Sequence, residues 1–309
     1  MKRCLVTGGT GFVGANLARS LLRDGHEVHL LVRPEHTAWR IEEIRTDIRM
    51  HLPDLSDAQA VSKMIEGIKP EWIFHLAAHG AYSWQTDIAR IFQTNLLGTI
   101  HLVEACMQAG FESFIHTGTS SEYGFKDHAP METEWLEPNS HYAVAKASAT
   151  LYCRYTAQTQ KANLTTLRLY SAYGPYEDEN RLMPTLIRHG LQGEWPPLVS
   201  PDTARDYVYV EDVSEACILA AMTQPREFGA IYNLGTGKST TLREVASIAR
   251  RVLGIQAEPE WGTMPARAWD TSIWQADSHK IQAELSWCPR HSFEEGFARM
   301  VAWWQHRQK

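Results

Sequence analysis

Tyr142 and Lys146 stand four residues apart in a stretch that reads as a helix beginning at Asn139 or Ser140, so both side chains leave one helical face. A phenol beside an ammonium makes an acid/base pair. The positive charge favours phenolate and is expected to lower the phenol's pKa toward the range where proton transfer is useful. With 11 tyrosines in the chain, the spacing alone carries little weight. Its warrant is its place, one helix after an apolar run that ends in Thr117-Gly118-Thr119-Ser120-Ser121. Hydroxyls at the C-terminal edge of a parallel sheet stand where such sheets bind ligands.

A second constellation lies at the start of the chain. Gly8-Gly9-Thr10-Gly11-Phe12-Val13-Gly14 contains G-x-x-G-x-x-G between the apolar run Cys4-Leu5-Val6 and a helical pattern of Val13, Leu17 and Leu21. In that setting the glycines let backbone approach a pyrophosphate, and the helix N-terminus offers unpaired N–H groups and its positive dipole end. The end of the next strand usually separates the two nicotinamide dinucleotides, because an acidic residue there bonds the ribose hydroxyl. Arg33 occupies that place and suits the extra phosphate of NADP, although Glu35, two residues on, is within reach of an NAD ribose.

These groups need a scaffold, and its grammar is regular. Strand, helix and strand (Val28 to Val32) open the chain. A helix from about Asp57 to Glu66, a strand Trp72–Leu76, a long helix around Ile88 to Gln108 and a strand Phe114–Thr117 follow. A helix through Tyr142 to Thr156 and a strand Leu164–Leu169 complete the series. Repeated βα units predict an α/β fold, a doubly wound, Rossmann-like parallel sheet buried on both faces. After Tyr170, prolines and glycines loosen the pattern. Residues 1–169 are therefore expected to form a dinucleotide-binding domain and 170–309 a smaller, loop-rich substrate lobe. A strand and helix near 231–252 are expected to return to the first.

Composition narrows the partners. Of 309 residues, 44% are hydrophobic and 21% charged, with a net charge of −6, so no basic field exists to hold nucleic acid. No apolar stretch approaches the roughly 20 residues of a membrane helix. Five scattered cysteines form no C-x-x-C pair, which fits a reduced, cytoplasmic setting.

Other signals fail. Gly235-Thr236-Gly237-Lys238-Ser239-Thr240 lacks the upstream glycine of a nucleotide P-loop, since that position is Tyr232. His75 and His79 fall on a strand and its exit rather than one helical face, so no metal site is expected. The tryptophans of the C-terminal third, Trp274 among them, read as packing.

Taken in order, these segments resemble the extended short-chain dehydrogenase/reductase family, in its nucleotide-sugar epimerase, dehydratase and reductase branch. The resemblance runs nearly end to end. Thr7 to Gly14 is similar to the family's cofactor loop, with Gly8, Gly11, Phe12, Val13 and Gly14 at the dinucleotide. Asp54-Leu55 resembles its adenine contact, His75-Leu76-Ala77-Ala78 its fourth-strand exit, and Asn95 the asparagine of an N-x-x-G segment. Thr119 matches the catalytic Ser or Thr, and Tyr142 and Lys146 the catalytic pair. Arg205 opens a segment similar to R-D-[FY]-x-x-V-x-D, and Arg267 matches a second arginine that engages the diphosphate of a nucleotide sugar. Ser171 stands where many epimerases carry asparagine.

The resemblance implies an enzyme working at a sugar carbinol or ketone, and a homodimer by analogy through the helices near Ile88–Gln108 and Tyr142–Thr156. Its 4,6-dehydratases place an acid/base pair directly after the catalytic threonine. Here those positions are Ser120 and Ser121, with Glu122 one residue too late. Dehydration is thus disfavoured. Arg33 tilts the expectation to NADPH-dependent reduction of a nucleotide-linked 4-keto (6-deoxy) sugar, against 4-epimerisation with retained NAD. A non-catalytic dinucleotide sensor is the alternative from another class.

Overall fold

The computed structural model describes residues 1–82, 84–264 and 274–307. The chain runs β1 (Arg3–Thr7), α1 (Phe12–Arg23), β2 (Glu27–Leu31), β3 (Ile48–His51), α2 (Ala58–Ile68), β4 (Trp72–His75), α3 (Ile88–Phe92), α4 (Gly98–Ala109) and β5 (Ser113–Thr119). It continues with α5 (His141–Gln160), β6 (Leu164–Leu169), β7 (Ser171–Tyr173), α6 (Leu182–Gly190), β8 (Ala204–Arg205), β9 (Tyr207–Tyr209) and α7 (Val210–Met222). The last elements are β10 (Ile231–Leu234), β11 (Thr240–Thr241), α8 (Leu242–Leu253), α9 (His279–Leu285) and α10 (Phe293–Arg307).

Seven strands form one sheet in the order β10-β6-β5-β4-β1-β2-β3, every pair parallel. Period-two alternation sends successive β1 side chains to opposite faces. Cys4 and Val6 therefore join Leu17, Leu21, Val213 and Cys217 on the α1/α7 side, while Leu5 joins Val61, Ile65, Leu102, Val103 and Cys153 on the other. The chain leaves β1 toward β2 and β3 and then returns to β4 on the opposite flank, so a crevice opens at the C-terminal ends of β1 and β4. Register brings Thr7 beside His75 and Thr119 beside Leu169, which delivers the glycine loop, the β4 exit and the hydroxyl-rich end of β5 to one edge.

Two sequence expectations need revision. The long helix near Ile88–Gln108 is interrupted by a π-helical turn over Gln93–Leu97, where Asn95 turns inward to the backbone of the β4 exit. The strand expected near residue 231 does pair with β6, but the helix after it does not return to the sheet. Gly237, with φ +74°, and the antiparallel pairing of β11 with β8 carry the chain away. Leu242, Val245 and Ala249 of α8 then pack in a third cluster with Leu186, Phe297 and Trp304 of α6 and α10.

Candidate active site

At the first βα junction the glycines are sterically required. Gly8 has φ +71°, and a Cβ there would sit 2.7 Å from the Ala77 nitrogen; a Cβ on Gly14 would overlap the Gly8 carbonyl oxygen. Gly11 donates to that carbonyl (2.9 Å) and caps α1 without a side-chain bond, leaving the first N–H groups of the helix, at Phe12 and Val13, open to an anion. This cradle fits a dinucleotide pyrophosphate. Gly14→Ala should force α1 from the loop and weaken dinucleotide binding roughly tenfold to a hundredfold, from about 1–3 kcal/mol of overpacking. Calorimetric titration checks this, and unchanged affinity would refute the cradle.

The cradle is braced from behind. Thr99 donates to the Asn95 carbonyl (2.7 Å), so its oxygen accepts from His75 Nε2 (2.9 Å). His75 Nδ1 then accepts from the Thr7 hydroxyl (2.7 Å), whose oxygen accepts from Ala77 N–H (3.1 Å). Burial, with the Lys146 charge, pushes the His75 pKa down to about 3, so the ring is a neutral strut. The Asn95 amide brackets the His79 backbone, donating to its carbonyl (2.6 Å) and accepting from its N–H (2.9 Å). Leu76 and Ala77 thus line the site and Asn95 shapes it, with Ala78 exposed on the same turn.

Toward the adenine end, Leu55 packs where Gly98 permits close approach; a Cβ on Gly98 would come within 2.9 Å of it. Asp54 is exposed, and the Ser56 N–H (2.8 Å) helps hold its carboxyl below the usual range. Arg33 is exposed too, and its charge pulls the Asp54 pKa the same way.

On the catalytic side, Ser140 is the α5 N-cap, accepting from Ala143 N–H (3.2 Å). It starts the helix so that half-buried Tyr142 and buried Lys146 meet the end of β5. Gly80, at φ +95°, lets the β4 exit loop approach Tyr142. The pKa expectation is reversed. Burial and the Glu122 charge push the Tyr142 phenol up to about 12, against a hydrogen bond from Thr119 and the Arg181 charge. Burial pulls Lys146 down to about 8, against Glu122 and Cys153. Desolvation is the largest cause at both groups, the half-buried phenol and the buried ammonium alike.

Sequence reasoning missed what lies beneath Thr119. Glu122, with no exposed surface, accepts from Thr119 N–H (2.9 Å) and Thr150 Oγ1 (3.0 Å) through Oε1, and from Arg168 Nε (2.8 Å) through Oε2. Arg168 also donates to the Tyr123 hydroxyl (2.8 Å) and the Glu132 carbonyl (3.2 Å), and Tyr123 donates to Asn233 (2.7 Å). One signal was available: Thr119-x-x-Glu122 is a capping box, formed here over a short 3₁₀ turn.

On the substrate side, Ser171 lies beside Tyr207 in the β7/β9 pair, and its N–H donates to the Asp206 carbonyl (3.0 Å). Arg205 stands over the Trp274 ring at 5.0 Å, and Trp274 Nε1 donates to Ser120 Oγ (2.5 Å). Trp274 thus bridges Arg205, a predicted substrate contact, and Ser120 beside Thr119. The Asp206 carboxylate accepts from Thr236, Gly237 and Ala276, which gives the P-loop-like glycines a structural task. Arg267 lies outside the described residues. Tyr82 stands by Arg181, whose charge acts on the Tyr142 phenol, whereas Tyr173 is buried in the third cluster.

Residues 4–235 match the model of the NAD dependent epimerase/dehydratase family. The chain belongs to this family. It is an enzyme of the extended short-chain dehydrogenase/reductase type. A UDP-glucose 4-epimerase of Mycolicibacterium smegmatis is 29% identical over 99% of this chain and 100% of its own length. The structure of a UDP-glucose 4-epimerase with UDP-glucose from Thermotoga maritima superposes with a TM-score of 0.89, at 28% identity over 99% of this chain and 100% of that one. A dTDP-glucose 4,6-dehydratase of Streptomyces venezuelae, determined with NAD bound, gives 0.88 at 28% identity over 99% and 98%. The expected sheet and family hold for this epimerase/dehydratase relative, and no helix among its described residues is long and apolar enough to cross a membrane.

Proposed function

We propose that the chain is a nucleotide-sugar 4-epimerase that retains NAD. The observation that carries this reading is the commitment of Glu122: both its oxygens are spent on Thr119, Thr150 and Arg168. The carboxyl nearest in sequence to the dehydratase acid/base position is thus not free to remove water, and Ser120 is engaged by Trp274. Within the family, epimerisation needs no such group. The similarity to UDP-glucose 4-epimerases supports the same choice.

The residues divide the work as follows. NAD, when bound, supplies the acceptor and then the donor of hydride at the sugar C4, and its nicotinamide cation favours phenolate. Tyr142 takes the C4 hydroxyl proton and returns it to that oxygen once the keto-sugar has turned its opposite face to the cofactor. Thr119 holds that oxygen by a hydrogen bond, and Lys146 binds the cofactor ribose. Gly8, Gly11 and Gly14 seat the pyrophosphate, Asp54 and Leu55 the adenine end. Arg205, Arg267 and Ser171 take the sugar diphosphate, where guanidinium groups fork onto phosphate oxygens. The working unit is a homodimer.

A second reading, NADPH-dependent reduction of a nucleotide-linked 4-keto sugar, is favoured by Arg33 at the β2 exit, whose charge acts on Asp54. Native mass spectrometry of the purified chain, then NMR of UDP-glucose incubated with it, separates the two. Retained NAD with formation of the C4 epimer is expected. An empty protein that selects NADPH, or a product that has lost water, would overturn the proposal.

A further inference from the structure

We infer that Glu122 is a positioning residue: its carboxylate clamps the Thr119 end of β5 to the helix that carries Tyr142 and Lys146, and sets a negative charge beneath both. The inference deepens the catalytic reading above and rests on it. One oxygen, Oε1, receives both the Thr119 N–H (2.9 Å) and the Thr150 hydroxyl (3.0 Å). Thr150 lies one helical turn beyond Lys146 on α5, so strand end and helix share one acceptor. Arg168 Nε, at 2.8 Å from Oε2, prevents the carboxylate from turning away.

Among the described residues the groups acting on the pair can be named. Lys146 feels Glu122 and Cys153 on one side, and the neutral, buried rings of His75 and His116 on the other. Tyr142 feels Glu122, Thr119, Arg181 and Tyr82. Glu122 itself meets Thr119, Thr150 and Arg168, with Tyr123 beyond. Its negative charge favours the protonated forms of both catalytic groups, adding to burial at Tyr142 and opposing it at Lys146.

Two variants test this. Glu122→Gln keeps the shape and removes the charge, so both limbs of the pH–turnover profile should move to lower pH by about half a unit or more, with KM little changed. The Lys146 signal, followed by NMR of labelled lysine and assigned with Lys146→Met, should titrate lower by a similar amount. Thr150→Val keeps the Arg168 pair and removes only the bond from α5. It should lower kcat roughly tenfold at unchanged KM, with Thr150→Ser restoring it. A folded Glu122→Gln chain with unmoved limbs and Lys146 signal would overturn the inference, and so would Thr150→Val at wild-type turnover. If Glu122→Gln does not fold, the Thr150 pair decides. Should the wild-type chain itself turn over no nucleotide sugar, the catalytic reading fails, and the Lys146 titration, which needs no substrate, decides this inference.

Discussion

Replacing Tyr142 by Phe is expected to lower turnover by about 10²–10⁴-fold while leaving NAD affinity within a few-fold of the wild type. On the proposed mechanism the phenol oxygen, which is hydrogen-bonded by Thr119, exchanges the proton with the sugar oxygen. Removing one oxygen leaves the ring, the close approach of Gly80 to the Tyr142 Cβ and the α5 N-cap in place. The glycine cradle, proposed to hold the dinucleotide, is untouched. With the free phenol pushed up to about 12, the resting residue is protonated at neutral pH. In the proposed epimerisation the oxidising half therefore needs a cation brought to the phenol, and turnover should rise with pH until Lys146, pushed down to about 8, loses its proton. Steady-state kinetics of the variant against calorimetric NAD binding measures both. Near-normal turnover would assign the proton transfer elsewhere.

The second large effect is on stability. Arg168→Met should cost roughly 3–5 kcal/mol, because it leaves Glu122 as an uncompensated charge with no exposed surface. The Glu132 carbonyl and the Tyr123 hydroxyl lose a donor at the same time. An unpaired buried carboxyl has a folded pKa above its unfolded one. The folded variant then holds a proton that the unfolded chain gives up, so its deficit is smallest below the ordinary carboxyl range and grows as pH rises toward the raised pKa. Urea unfolding of wild type and variant across acid to neutral pH checks the sign. A pH-independent deficit would show that lost packing, and not the stranded charge, is responsible. Adding Glu122→Gln to Arg168→Met should recover part of the loss, which distinguishes coupling from two independent defects.

Much of the scaffold could be read from the chain because the forces that make it are local. Leu5 and Val6 alternate across a strand, Leu17 and Leu21 repeat with helical period, and Gly14 is demanded by its contact with the Gly8 backbone in the same loop. The same reasoning failed at the helix near Ile88–Gln108, where the π turn at Asn95 answers a contact with His79 on another element. It failed again at α8, whose apolar face is equally compatible with the sheet or with α6 and α10. An amphipathic pattern states that a face is buried and is silent about the partner.

At the site, the types and order of Thr119, Tyr142 and Lys146 were determined by the sequence, together with the edge of the sheet from which they act, because strand, turn and helix signals set those places. Only the tertiary structure decided how the groups behave. Arg168 reaches Glu122 from 46 residues away and Trp274 reaches Ser120 from 154, and no local pattern encodes either contact. The direction of each pKa shift followed from the same source, since burial, which drives Tyr142 up and Lys146 down, is a property of the packed chain rather than of the residues themselves.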